Sequence, residues 1–320
     1  MWQLFGIEAK RTVKGNSFPT FFCEAALGTM ISQRKYHVSV VIGKTAWAEI
    51  LHALPQLHTP SAMPYHNIGM RILFLIAKAL FVLAVPVLLL TATMRVAVST
   101  PALYRYSFNN WDASAYTGIS DEDLDRVASS LTHYFNSAQE YWDVTVVQSG
   151  QEKTLLSTSE QQHFKDIKGL VRFDYTALIC SLAYILLFVA GALVLARRRH
   201  ASLPKQSAAA TPNAWLAEGW REVAEVLKWG AILAVVLLLL LLGAGLLTGF
   251  DNLFIRFHEL FFTNHLWIAQ PDDVMAYLFP EGFFMTAGLL ITGAILVEAA
   301  ILGGIGWKFS KGRKENQPAS

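Results

Sequence analysis

The stretch WGAILAVVLLLLLLGAGLLTGF, residues 229–250, contains no charged side chain. A helix of about 20 apolar residues is long enough to cross the roughly 30 Å hydrocarbon core of a bilayer. Within that core, a helix or a closed barrel is needed to pair every backbone polar group. This stretch therefore predicts a membrane-spanning helix.

Three further apolar stretches of similar length lie at residues 72–94, 175–196 and 283–307. Across the chain 53% of residues are hydrophobic and only 16% are charged, which excludes a pair of soluble domains. We expect an all-α membrane bundle of four transmembrane helices at residues 70–307. The net charge is only +2 and no segment collects the basic residues, so no nucleic-acid partner is predicted.

The distribution of Lys and Arg predicts which way the helices point. The connection at residues 197–228 carries six basic residues and the tail at 308–320 carries four, whereas 251–282 has one arginine against five acids. The positive-inside rule then places both termini in the cytoplasm. Segments 95–174 and 251–282 form the outer face. A cleaved signal peptide at 72–94 is the alternative, but no clear cleavage site follows it.

Residues 1–69 contain no spanning run and no sustained helical period. We interpret them as a cytoplasmic extension, or as residues ahead of a true start at Met70. Cys23 falls in that segment and Cys180 in the second span, so neither a disulfide framework nor a thiolate metal site is predicted.

The outer segment 95–174 predicts a small α+β cap between the first two spans. Ser120 with Asp123, and Ser157 with Glu160, have the spacing of capping boxes that begin helices. The first of these helices has an apolar stripe made of Leu124, Val127, Leu131, Tyr134 and Phe135. Residues 142–147 and 152–156 predict a β-hairpin. The second helix has no proline before 175, so it should run unbroken into the membrane.

Two histidines are predicted near the outer headgroup level, His163 above the second span and His258 above the third if that helix continues. Asp166 follows His163 at i+3, close enough for its carboxylate to fix the imidazole tautomer. Aromatic residues surround His258, and a dehydrated histidine tends to be neutral and able to accept a proton. The pair therefore predicts an acid and a base, although interfacial histidines are more often only solvated.

The segments QHFKDIK (162–168) and FHELFFTN (257–264), the latter continuing through Trp267 to LFPEGFF (278–284), resemble signatures of the lipoprotein intramolecular transacylase family. Members are four-span bacterial membrane proteins. The resemblance implies that His163 and His258 are essential. It implies a cofactor-free transfer of an acyl chain from the glycerol of a diacylated lipoprotein to its N-terminal amine, leaving a lyso form.

In the reaction that the resemblance implies, His258 removes the proton of the attacking amine. His163, held by Asp166, stabilises the oxyanion or protonates the leaving glycerol oxygen. The two roles are open to exchange. No metal is required.

Charged and aromatic residues near the membrane give further expectations. Lys78 and Glu298 lie at similar depth in the first and fourth spans, which predicts an ion pair across the bundle; a snorkelling Lys78 is the alternative. We expect Lys168 and Arg172 to contact lipid phosphate, or simply to anchor the interface. Trp267 is expected to contact lipid or substrate.

Two other functions are compatible with the same residues. One is a non-catalytic membrane subunit whose outer cap binds a partner. The other is a metal-dependent hydrolase using His163, His258, Asp166 and Glu259, which we rank last because no segment has metal-ligand spacing.

Overall fold

A computed structural model of the protein describes residues 68–148, 150–202, 213–270 and 272–311. The predictions for residues 1–67 and for the end of the basic tail lie outside these ranges. In chain order the elements are α1 (Ile68–Val98), α2 (Pro101–Asn110), α3 (Ala113–Thr117), α4 (Asp121–Asn136), β1 (Thr145–Gln148), β2 (Gln151–Thr154), α5 (Thr158–Ala201), α6 (Ala214–Thr248), α7 (Phe250–Phe261), α8 (Met275–Leu278) and α9 (Glu281–Ser310).

Four of these helices, α1, α5, α6 and α9, are long and apolar enough to cross a membrane, which confirms the predicted fold class. Only 11–17% of the most apolar stretch in each is buried inside the protein. The other side chains present an apolar surface of the kind that faces lipid. α5 has 44 residues, about 66 Å of helix, so it extends well beyond the bilayer into the cap.

Small residues let the spanning helices approach closely. A Cβ added at Gly306 of α9 would lie 2.8 Å from the Ala224 carbonyl oxygen of α6, and one at Gly230 would lie 2.6 Å from Val85 of α1. Without water to drive association, packing of this kind holds helices together in lipid. α6 therefore lies between α1 and α9, and it also packs against α5.

The cap has the elements that were predicted. The apolar stripe of α4 is buried, and β1 pairs antiparallel with β2. Ser157 and Glu160 form a complete capping box at the start of α5, which then runs unbroken through the second span. Ser120 caps α4 by accepting a bond from the Asp123 backbone, but the Asp123 carboxylate instead accepts from the Val147 backbone. That bond ties α4 to the hairpin.

The third span does not continue to His258, so that expectation was wrong. α6 ends at Thr248, and Gly249 has a φ of +84°. Residues with a Cβ rarely adopt this region, whereas glycine does so at little cost. The helix is interrupted there, and His258 lies on a separate helix, α7.

Candidate active site

His163 lies in the second turn of α5, in the part of that helix that precedes the apolar span. Its side chain is only 3% exposed. The capping box at Ser157 and Glu160 sets where α5 begins. Glu160 Oε1 also accepts a bond from the Met275 backbone at 2.7 Å. This carboxylate thus anchors the His163 turn to the chain segment that leads into α9.

His258 lies near the end of α7 within a group of aromatic rings. Its ring centroid is 4.1 Å from that of Phe254 and 4.8 Å from that of Trp267. His258 Nδ1 donates a hydrogen bond to the Phe254 carbonyl oxygen, one helical turn back, at 2.7 Å. A neutral imidazole that carries its proton on Nδ1 has its lone pair on Nε2. His258 is therefore prepared to accept a proton at Nε2.

The fold brings the two histidines together. Their ring centroids lie 6.2 Å apart, and the Phe262 ring contacts both, at 5.1 Å from His163 and 5.5 Å from His258. His163 Nδ1 is buried and has no hydrogen-bond partner among the described residues. A buried polar atom of this kind costs about 1–3 kcal/mol, so it is typically retained for a function.

Both imidazoles are held neutral. Burial, assisted by the neighbouring His258, lowers the pKa of His163 to about 4, and Asp166 opposes the shift only in part. Burial also lowers the pKa of His258, against the opposing effect of its bond to the Phe254 carbonyl. At neutral pH the site therefore holds two uncharged rings, each able to exchange a proton.

Asp166 does not bond to His163, so the predicted carboxylate–imidazole contact was wrong. Asp166 Oδ2 accepts from Asn264 Nδ2 at 2.8 Å, and Oδ1 accepts from Gln162 Nε2 at 3.2 Å. Asn264 in turn accepts from the Leu266 backbone at 3.1 Å. Asp166 thus joins α5 to the loop after α7, and so connects the helix of one histidine to the segment that carries the other.

Lys168 is only 2% exposed, so it is not the lipid contact that was predicted. Its ammonium donates to the Gln139 carbonyl oxygen at 2.6 Å and lies 4.0 Å from the centre of the Tyr134 ring. Arg172, one turn further along α5, is exposed. Its predicted contact with lipid phosphate therefore stays a prediction, as does the substrate contact of Trp267.

Lys78 and Glu298 do not form the predicted ion pair. The Thr93 hydroxyl lies 3.2 Å from each carboxylate oxygen of Glu298 and donates to that carboxylate. Thr93 and Lys78 are 15 positions apart on α1, about 22 Å along its axis. The Lys78 ammonium instead lies 4.6 Å from the centre of the Phe74 ring. The equal depth predicted for the two ions assumed untilted helices, and packing decides the actual register.

A cleft of about 490 Å³ opens beside the histidine pair, between α5 and the end of α7 with the loop that follows. Its lining residues are Gln139, Glu140, Lys165, Asp166, Lys168, Gly169, Leu170, Arg172, Phe261, Phe262, Thr263 and Asn264. Ligand sites commonly have this size, and they combine apolar walls with a few polar groups.

Three contacts of the site were not predicted from the sequence: the bond from His258 to the Phe254 carbonyl, the contact of the Phe262 ring with His163, and the bond from the Asn264 amide to Asp166. The i−4 spacing of Phe254 from His258 could have indicated the first. The other two act across the fold, and no local pattern marks them. No three His, Cys, Asp or Glu side chains of the described ranges lie close enough together to hold a metal ion.

Comparison with known proteins identifies one family. The family model described as lipoprotein intramolecular transacylase Lit matches residues 79–284. No curated protein sequence matches significantly. A solved structure of the membrane integral lipoprotein intramolecular transacylase from Bacillus cereus is 17% identical, with a TM-score of 0.55 over 74% of this chain and 95% of that one.

A variant of the Bacillus cereus protein with a histidine replaced by alanine gives 16% identity and a TM-score of 0.56, over 76% of this chain and 96% of that one. A second variant, with arginine in place of the same histidine, is 18% identical, with a TM-score of 0.53 over 78% of this chain and 100% of that one. At these identities the structural likeness shows the fold alone.

Proposed function

The chain belongs to the lipoprotein intramolecular transacylase family, and we propose that it moves an ester-linked acyl chain of a diacylglyceryl-cysteine lipoprotein onto the N-terminal amine of the same molecule. The observation that carries this proposal is the pair of neutral imidazoles 6.2 Å apart. Donor and acceptor belong to one substrate, so holding them in register supplies much of the rate enhancement.

His258 is the base in this proposal because its tautomer leaves the lone pair on Nε2. Nε2 removes a proton from the amine as the nitrogen attacks the ester carbonyl carbon. A C–N bond forms, the bond from that carbon to the glycerol oxygen breaks, and the oxygen must gain a proton. The proton taken by His258 is returned to that oxygen, either directly or by way of His163. His163 also hydrogen-bonds to the oxyanion, so the substrate provides the partner that His163 lacks. The products are an amide and a free glycerol hydroxyl.

The positive-inside distribution supports an orientation in which both termini are cytoplasmic and the histidine pair faces outward. Domain 70–307 is then the catalytic unit, with segment 95–174 as its outer cap. In that orientation the site meets lipoproteins anchored in the outer leaflet. Labelling of single cysteines placed at Ser129 and Lys308 with a membrane-impermeant maleimide tests it: only the residue at 129 should react in intact cells.

The test of function is N-terminal lipopeptide analysis of a reporter lipoprotein, co-expressed with this protein in a bacterium that lacks its own N-acylating enzyme. Acyl migration conserves mass, so the readout is a blocked amine together with tandem fragmentation that places the chain on nitrogen. The amine should be blocked with the wild type and with His133→Gln, an exposed cap histidine. It should stay free with His258→Gln. A free amine with correctly inserted wild type contradicts the proposal.

A further inference from the structure

The histidine pair stands well outside the apolar spans. α5 is unbroken, so His163, 11 residues before Asp174, lies about 16 Å beyond the start of the second span. The ester carbonyls of a membrane-anchored lipid lie in the interfacial layer that borders the hydrocarbon core. An ester therefore has to pass from the lipid side of the cap to the buried histidines before it can react, and some part of the protein has to shelter the apolar chain as it does so.

The cleft described above occupies this interval. On α5 it extends from Arg172, near the start of the span, to Lys165, two positions after His163. Its upper end includes Phe262, whose ring contacts both imidazoles. The histidines themselves are buried and do not line the cleft. The cleft thus leads from the start of the second span to Phe262, an aromatic side chain that contacts both imidazoles.

The chemistry of the lining suits a neutral ester with an attached apolar chain. Leu170, Phe261 and Phe262 supply apolar surface. Three charged groups of the lining already have partners: Lys165 and Glu140 pair with each other at 2.5 Å, and Lys168 donates to the Gln139 carbonyl. Asp166 is likewise occupied by Asn264 and Gln162. Since these ions are compensated, little charge remains to bind a free anion inside.

Gly169 forms part of the wall and leaves the cleft open. A Cβ added there would meet no atom within 4 Å. Glycine in a helix interior costs about 0.5–1 kcal/mol relative to alanine, and no neighbouring element needs the close approach here. Any large side chain at 169 would extend into the space through which a ligand passes.

We propose that this cleft is the path by which the glyceryl ester of a membrane-anchored substrate rises to the histidine pair, and that the Phe262 ring moves aside when the ester arrives. The proposal rests on the proposed function for the nature of the ester. It assigns Gly169, Leu170 and Phe261 to substrate passage, and it leaves Arg172 at the mouth, at the level of the lipid headgroups.

Gly169→Trp tests the path, and Gly191→Trp is the matched control. Gly191 lies on the same helix, is exposed, and also has no neighbour within 4 Å of an added Cβ. The full chain is placed in nanodiscs of phosphatidylethanolamine and phosphatidylglycerol with a diacylglyceryl-cysteine lipopeptide that carries a diazirine near the ester end of one chain. We expect Gly169→Trp to lower kcat/KM for N-acylation at least tenfold and to abolish photolabelling of residues 261–264. Gly191→Trp should leave both unchanged.

If Gly169→Trp keeps the kcat/KM and the photolabelling of the wild type, the proposed path is wrong. If the wild type labels at 261–264 but does not transfer the chain, the proposed function fails while the path stands. If the wild type transfers the chain without labelling there, the path fails alone. Should Gly169→Trp not fold, Thr263→Trp narrows the cleft from the opposite wall, where the side chain is exposed, and is expected to have the same effects.

Discussion

The Nδ1–H group of His258 donates to the Phe254 carbonyl oxygen at 2.7 Å, and this bond places the lone pair of the ring on Nε2. The carbonyl belongs to the same helix, α7, so the tautomer is set by local geometry once α7 forms. The bond therefore leaves Nε2 free to accept a proton.

The two histidines should act as one unit. Each of His258→Gln and His163→Gln is expected to lower kcat by about 10²–10⁴-fold, the usual contribution of a positioned acid or base. The double variant should lose little more than the worse single variant, because either loss disables the same proton exchange. Single-turnover N-acylation rates measure this. If the fold-reductions of the two single variants multiply in the double variant, the histidines act separately.

The hydrogen bond between Asp166 and Asn264 should position the pair without entering the chemistry. Asp166→Asn and Asn264→Ala are each expected to reduce kcat by about tenfold, with the double variant similar to either one. The low-pH limb of the rate profile should keep its midpoint in Asn264→Ala, since Asn264 donates to Asp166 and not to an imidazole. A large shift of that midpoint in Asn264→Ala would contradict a purely positional role.

The pH dependence follows from the lowered histidine pKa values. Activity requires neutral rings. We therefore expect kcat to stay constant from pH 7 to below 6.5, about the ordinary pKa of histidine, and to fall as the pH passes the lowered pKa of His258.

Folding stability responds to pH in the same range. Below a pH of about 6.5 the histidine of the unfolded chain becomes protonated, whereas buried His163, with a pKa of about 4, stays neutral in the folded protein. The free energy of unfolding therefore falls as the pH drops towards 4. Thermal melts in detergent across pH 4–7.5 measure this effect. A melting temperature that rises on acidification would contradict the prediction.

The close contact of α9 with α6 predicts a sharp difference between two neighbouring glycines. Gly306→Ala would bring a Cβ to 2.8 Å from backbone atoms of Ala224 and Lys228, and should cost about 1–3 kcal/mol of unfolding free energy. Gly304→Ala meets no atom within 4 Å and should change stability by less than about 0.5 kcal/mol. Unfolding in mixed micelles compares the two. Equal effects would show that α9 and α6 do not pack in this register.

Lys78 and Glu298 should be energetically independent. Glu298 accepts from Thr93, and about 22 Å of α1 separates Thr93 from Lys78. The stability effects of Lys78→Met and Glu298→Gln are therefore expected to add within about 0.5 kcal/mol. The same micelle unfolding assay measures the cycle. A coupling energy above about 1 kcal/mol would mean that Lys78 and Glu298 form the ion pair predicted from the sequence.

The sequence by itself determined the four spanning helices and the main elements of the cap. Four apolar runs predicted four spanning helices, and two capping boxes, one apolar stripe and one alternating segment predicted the cap. These features depend on residues close together in the chain, and the physics that decides them acts over a few helical turns: backbone pairing in lipid, cap hydrogen bonds and burial of one face. The family resemblance pointed to His163 and His258 for the same reason, since each lies in a contiguous motif.

Only the tertiary structure decided which side chains meet. His163 and His258 are 95 positions apart, and their contact depends on the turn at Gly249 and on how α7 packs against α5. Asp166 bonds to Asn264 rather than to the histidine one turn away, and Glu298 bonds to Thr93 rather than to Lys78. Such partners follow from helix tilt and register, which arise from packing summed over the whole bundle and are not encoded in any single stretch.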